Sequence, residues 1–87
     1  MGENMTQEEL KKLFKSTRYI KDVKAKTFYI FGYVNDEAYV KIQKYNYSEH
    51  GDTPIFTEEP IFMPRYMFRA AIKCGHITVN SRRLKNL

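Results

Sequence analysis

Residues 27–47, TFYIFGYVNDEAYVKIQKYNY, constrain the fold most: two aromatic and β-branched runs are joined at Asn35-Asp36. Such residues suit a pleated, half-buried surface, and Asn and Asp tolerate positive φ at both central positions of a tight turn, so a β-hairpin is expected. Loop length then decides the register, because one residue more or less moves every side chain of a strand to the opposite face. A two-residue loop groups Tyr29, Phe31 and Tyr33 with Ala38, Val40 and Ile42, and groups Phe28, Ile30 and Val34 with Glu37, Tyr39, Lys41 and Gln43. A three-residue loop would instead set Tyr29, Phe31 and Tyr33 beside Tyr39, Lys41 and Gln43 as an aromatic and basic platform. That loop asks Glu37 to enter the left-handed region, so the first register is favoured. In either register the first run is apolar on both sides, as suits a central strand or one whose second face meets a helix or a partner.

Eighty-seven residues make one domain with a modest core, burying roughly 60–65% of the surface its unfolded chain exposes. With 43% apolar residues the chain is no disordered protein, and its apolar runs are far shorter than a membrane span. Cys74 is the single cysteine, which excludes an internal disulfide, and no secretory leader pattern opens the sequence. A reducing, cytoplasmic setting is the expectation. Met1 to Asn4 is polar and is set aside as a flexible start, which leaves residues 5–87 as one α+β domain.

Around the hairpin, Thr6 and Glu9 form a Thr-x-x-Glu capping box, with Met5 and Leu10 in the positions of a hydrophobic staple. Leu10, Leu13 and Phe14 follow at helical spacing, so an amphipathic helix is expected from Met5 to about Thr17. Residues 16–26 read as a connection with a short strand at 19–23, and their cations look scattered. Pro54 and Pro60 bracket an acidic stretch in which residues 55–57 form an edge strand or an extended loop. Pro64 suits a helix start and Gly75 a helix stop, so a second helix is expected between them, followed by a short strand at 76–79 and a basic tail. The predicted fold is α+β: a small antiparallel sheet built on the central hairpin, with an N-terminal and a C-terminal helix packed on it.

The net charge of +5 is uneven. Residues 1–34 hold seven Lys/Arg against four Asp/Glu, residues 35–59 two against six, and residues 60–87 six against none. Arg65, Arg69 and Lys73 fall at i, i+4 and i+8, a single stripe along the second helix, and Arg82, Arg83 and Lys85 follow in the tail. Six cations arranged this way suit a phosphate backbone, where each neutralised phosphate releases counterions. A solvated face is the plainer alternative.

Locally, AAIKCGHITVNSRR resembles the helix end and following strand of S4-type RNA-binding domains through Gly75, His76, Ile77, Val79 and Asn80. The resemblance covers about a sixth of the chain. It implies an RNA partner, but Ser81 stands where that pattern has glycine, and the helix such domains place directly upstream is absent.

Cys74, His76 and His50 lack the paired spacing of a metal site, and Cys74 is expected to be buried at a helix end. The carboxylates fall at predicted turns, and no glycine-rich phosphate loop is present. Neither an enzyme, a metal nor a cofactor is therefore expected. Two function classes follow. The first is a small non-enzymatic nucleic-acid-binding module in which Arg65, Arg69, Lys73, Arg82, Arg83 and Lys85 contact phosphates and Tyr39 or Tyr45 stacks on bases, with Lys41 a further binding candidate. The second is a small protein-binding adaptor or inhibitor, of the kind phage and mobile elements encode, acting on a larger nucleic-acid-handling enzyme. A homodimer through the sheet is a further assembly to test.

Overall fold

Asn35 and Asp36 adopt φ of 50° and 67°, the pair of left-handed residues that closes a two-residue turn with the twist of its strands. Strands β2 (Thr27–Val34) and β3 (Glu37–Tyr47) pair on either side of it, with Phe31 opposite Val40 and Tyr33 opposite Ala38. The favoured register is therefore the one that forms. The structure, a computed structural model, describes residues 5–51, 53–80 and 82–85. Met1 to Asn4 and Ser81 lie outside the described residues.

Helix α1 (Gln7–Leu13) begins with the anticipated reciprocal cap, Glu9 N–H to Thr6 Oγ1 at 3.1 Å and Thr6 N–H to Glu9 Oε1 at 2.9 Å. It stops short of Thr17. Phe14 is already extended, and Lys15–Asp22 form strand β1, which pairs antiparallel with β2. The expected long helix and connection are thus replaced by a shorter helix and an eight-residue strand. The free edge of β2 offers backbone partners to residues that are indifferent helix formers, Ser16 and Thr17 among them.

Past the hairpin, β4 (Pro54–Phe56) pairs with the end of β3, and β5 (Ile61–Pro64) pairs with its first half, Tyr39 opposite Pro64 and Ile42 opposite Ile61. Together the described residues build one five-stranded antiparallel sheet in which β2 and β3 are central and β1 is an edge.

Helix α2 (Arg65–Lys73) follows β5 directly and ends in a Schellman motif. Gly75 takes φ of 82°, with His76 N–H bonded to the Ala71 carbonyl at 2.9 Å and Gly75 N–H to Ile72 at 3.2 Å. The expected strand at 76–79 does not form among the described residues. The segment runs irregularly across the sheet, burying Val79, and the expected basic tail is a four-residue helix, α3 (Arg82–Lys85), that buries Leu84. Burial of these two side chains needs no strand pairing.

Two apolar clusters hold the layers together. On the inner sheet face, Ile20, Tyr29, Phe31 and Val40 pack against Phe68 of α2 and against Val79 and Leu84. On the outer face, α1 covers one end only: Leu10 packs with Val34 and Phe62, joined by Met5, Phe14 and Tyr39. Gln7 adds a contact no periodicity announces, its amide accepting from Phe62 N–H at 2.8 Å and donating to the Phe62 carbonyl at 3.2 Å, which caps part of β5.

Asp22 fastens the C-terminal segment to the sheet. Its carboxylate accepts from Asn80 N–H at 3.0 Å and Ala25 N–H at 3.1 Å, with the Asn80 amide at 3.4 Å. Burial pushes this carboxyl up, but the bonds from Asn80, Ala25 and Lys24 outweigh it and hold it below its ordinary value of 3.8. A carboxyl depressed by folding stabilises above its unfolded pKa, and that contribution is lost as pH falls through the lower folded value. Asp22→Asn should therefore destabilise the protein by about 1.5–3 kcal/mol at pH 7, the range for bonds to a charged group. In urea melts across pH, the gap from the parent should close below about pH 4, the ordinary carboxyl value. A gap that persists unchanged into acid would assign the loss to packing.

Candidate nucleic-acid interface

The stripe on α2 exists, but its three members differ. Arg69 and Lys73 are exposed, whereas Arg65 is half-buried, with its guanidinium carbon 5.4 Å from the centre of the Phe31 ring. Arg18 of β1 approaches the same ring at 4.7 Å. Both guanidiniums reach the Phe31 ring because β1 lies beside β2 with Arg18 opposite Phe31, while α2 packs on that same sheet face. Cations on an aromatic face gain about 0.5–1 kcal/mol each when exposed, which biases both side chains toward this ring.

The β1 edge extends this positive surface. Lys15, Arg18, Lys21, Lys24 and Lys26 lie along the strand and its turn, and the only carboxylate among them, Asp22, is buried against Asn80. Cations that look scattered along the sequence are brought to one sheet edge, since an extended strand spaces them evenly along a line. Among the described residues one ion pair forms, Lys11 with Glu59 at 3.6 Å, on the far side of the sheet order from β1. The charges on α2 and β1 are thus not cancelled by neighbouring carboxylates.

Other candidates fall in different places. Arg82 and Arg83 are exposed on α3, and the side chain of Lys85 lies outside the described residues. Lys41 is half-buried on the outer face with its ammonium 5.8 Å from the Phe62 ring centre. Tyr39 is half-buried against the smaller cluster. Tyr45 is only 3% exposed, so its ring offers no free face for a base. Cys74, expected to be buried, is exposed at the end of α2.

The exposed rings are elsewhere on the same outer face, on the half that α1 leaves uncovered. Phe28 sits among Tyr19 (ring centres 5.6 Å apart), Tyr45 (4.9 Å) and Phe56 (6.2 Å). Tyr47 stands edge-on to Tyr45 at 5.4 Å, and the Lys21 ammonium lies 5.4–5.6 Å from the rings of Phe28, Tyr45 and Tyr47. Burial pushes the Tyr45 hydroxyl up to about 12, helped by its bond to Tyr47. That same bond, with the Lys21 ammonium, holds the Tyr47 hydroxyl below its ordinary value. The two hydroxyls lie 3.5 Å apart, and either can donate to the other.

Arg18, Tyr19, Lys21 and Phe56 were not singled out from the sequence as binding residues. The signal that identifies the first three is the alternation Arg18/Ile20 against Tyr19/Lys21, which has meaning only once the segment is a strand. No helix of the described residues is long and apolar enough to cross a membrane. No protein-family model, no curated protein and no solved structure matches the chain, so the reading of its function rests on this geometry.

Proposed function

We propose that this chain is a small non-enzymatic nucleic-acid-binding module of the cytoplasm, gripping a phosphate backbone through the cationic surface that joins α2 to β1. The observation that carries the reading is the approach of Arg18 and Arg65 to one ring, Phe31, which joins the α2 stripe to the basic β1 edge with no ion pair between them among the described residues. Arginine suits phosphate because its planar fork can bond two oxygens at once. Arg82 and Arg83 add charge next to the same core.

The test is binding of labelled DNA and RNA, single-stranded and duplex, across a salt series. Arg69→Glu combined with Lys73→Glu is the informative variant, since both side chains are exposed and the fold does not rest on them. Loss of two phosphate contacts should weaken binding at least thirtyfold and make the logarithmic salt slope shallower by roughly 1.4–1.8. Weak binding that the double reversal leaves unchanged would overturn the reading.

Exposed Tyr66 and Met67, interleaved with the cations of α2, favour a second reading. In it the protein is an adaptor or inhibitor of the phage or mobile-element kind that docks on a nucleic-acid-handling enzyme. Under that reading, Tyr66→Ala and Met67→Ala would weaken binding to such an enzyme with nucleic acid absent.

A further inference from the structure

From the open half of the outer sheet face we infer that the nucleic acid is bound single-stranded, with unpaired bases stacked on Tyr19 and Phe56 and the adjoining phosphate held by Lys21. This inference rests on the nucleic-acid reading and names the form of ligand it takes. Three observations carry it. The rings are accessible where α1 does not reach: Tyr19 is 62% and Phe56 60% exposed, flanking the half-buried Phe28. Each is braced by a ring contact, Phe28 lying edge-on to both, which favours this arrangement before any ligand arrives. Cation and rings are contiguous, the Lys21 ammonium lying against Phe28 and Tyr47 and belonging to the strand that carries Arg18.

Stacking platforms beside a basic track are how proteins hold single strands without reading sequence, because every base has a π-face. A duplex keeps those faces inside its own stack, and only its phosphates would meet this surface. β1 alternates Arg18 toward α2 and Tyr19 with Lys21 toward the open face, so one strand of nucleic acid passing over this edge meets phosphate ligands and rings in succession. A second copy of the chain is a poorer occupant. Its own β1 and following turn would bring five further cations against these, and lysine-bearing, bulged edges are a device that keeps sheets from pairing.

The experiment compares Tyr19→Ala/Phe56→Ala with the parent on a single strand and a duplex of equal length, with Tyr19→Phe as the conservative variant and sedimentation to read the oligomeric state. Expected is a loss of about tenfold per ring on the single strand, an unchanged salt slope, little change on the duplex, and retention of affinity by Tyr19→Phe. An equal loss on both ligands, or none on either, would overturn the inference. So would a parent dimer that the double variant dissociates, which assigns the face to a second copy. If the parent grips duplex as tightly as single strands and the Arg69/Lys73 reversal abolishes both, the nucleic-acid reading stands and this one falls. If the parent binds neither, both fall.

Discussion

Phe68→Ala is expected to lower stability by about 3–5 kcal/mol, the range for removing a large aromatic from a packed core. Phe68 is 0% exposed and is the buried residue of α2, packed against the sheet with Ile72 beside it. Its ring centre lies 5.4 Å from Tyr29 and 6.1 Å from Phe31, so truncation leaves a void between helix and sheet that rigid strands β2 and β3 cannot close. At roughly 4–8 °C per kcal/mol for a domain of this size, the melting temperature should fall by more than 10 °C. Tyr66→Ala on the same helix is the control, since Tyr66 is 67% exposed and its loss should stay within about 0.5 kcal/mol. Comparable losses from the two variants would show that helix propensity, and not the Phe68 contact, sets the stability of α2. Under the nucleic-acid proposal, the Phe68 variant, which disturbs the Phe31 ring beside Arg18 and Arg65, should also weaken binding while leaving net charge unchanged.

The second large effect is expected at Gly32, in the middle of β2. A Cβ there would overlap the Lys15 carbonyl oxygen and come within 2.8 Å of both the Lys15 carbonyl carbon and the tip of the Phe14 ring. The obstacle is backbone at the point where the chain leaves α1 and enters β1, so no rotamer change relieves it. Gly32→Ala must displace that crossing, and with it the seating of Phe14 on Phe62, whose rings are 5.3 Å apart. Overpacking costs typically 1–3 kcal/mol and more where backbone must move, so a loss of about 3 kcal/mol or more is expected in urea melts. Gly51→Ala gives the contrast, because φ is 77° but no described residue beyond its chain neighbours comes within 4 Å of the added methyl, which leaves a backbone penalty of about 1–2 kcal/mol. If the two variants lost the same amount, the close crossing at Gly32 would not be a determinant of the fold.

What the sequence determined by itself was local. Asn35-Asp36 specified the turn and the register, Thr6 with Glu9 the start of α1, and Gly75 the end of α2, because each acts through atoms within a few residues along the chain. The α+β class followed from the same signals. The tertiary structure decided what depends on partners far along the chain. β1 has no hydrophobic alternation of its own, with only Ile20 and Asp22 buried, and it becomes a strand because β2 offers a free edge. The tail is no tail, because Leu84 finds the core that Phe68 and Val79 leave open. Tyr45, a plausible stacking residue when only its ring chemistry is considered, is enclosed by Phe28 and Tyr47, while Tyr19 and Phe56 are left free. Charge along the chain announced a basic stripe on the second helix. That this stripe joins the β1 cations follows from Arg18 and Arg65 reaching one ring, a contact set by the packing of α2 on the sheet and invisible to any spacing in the sequence.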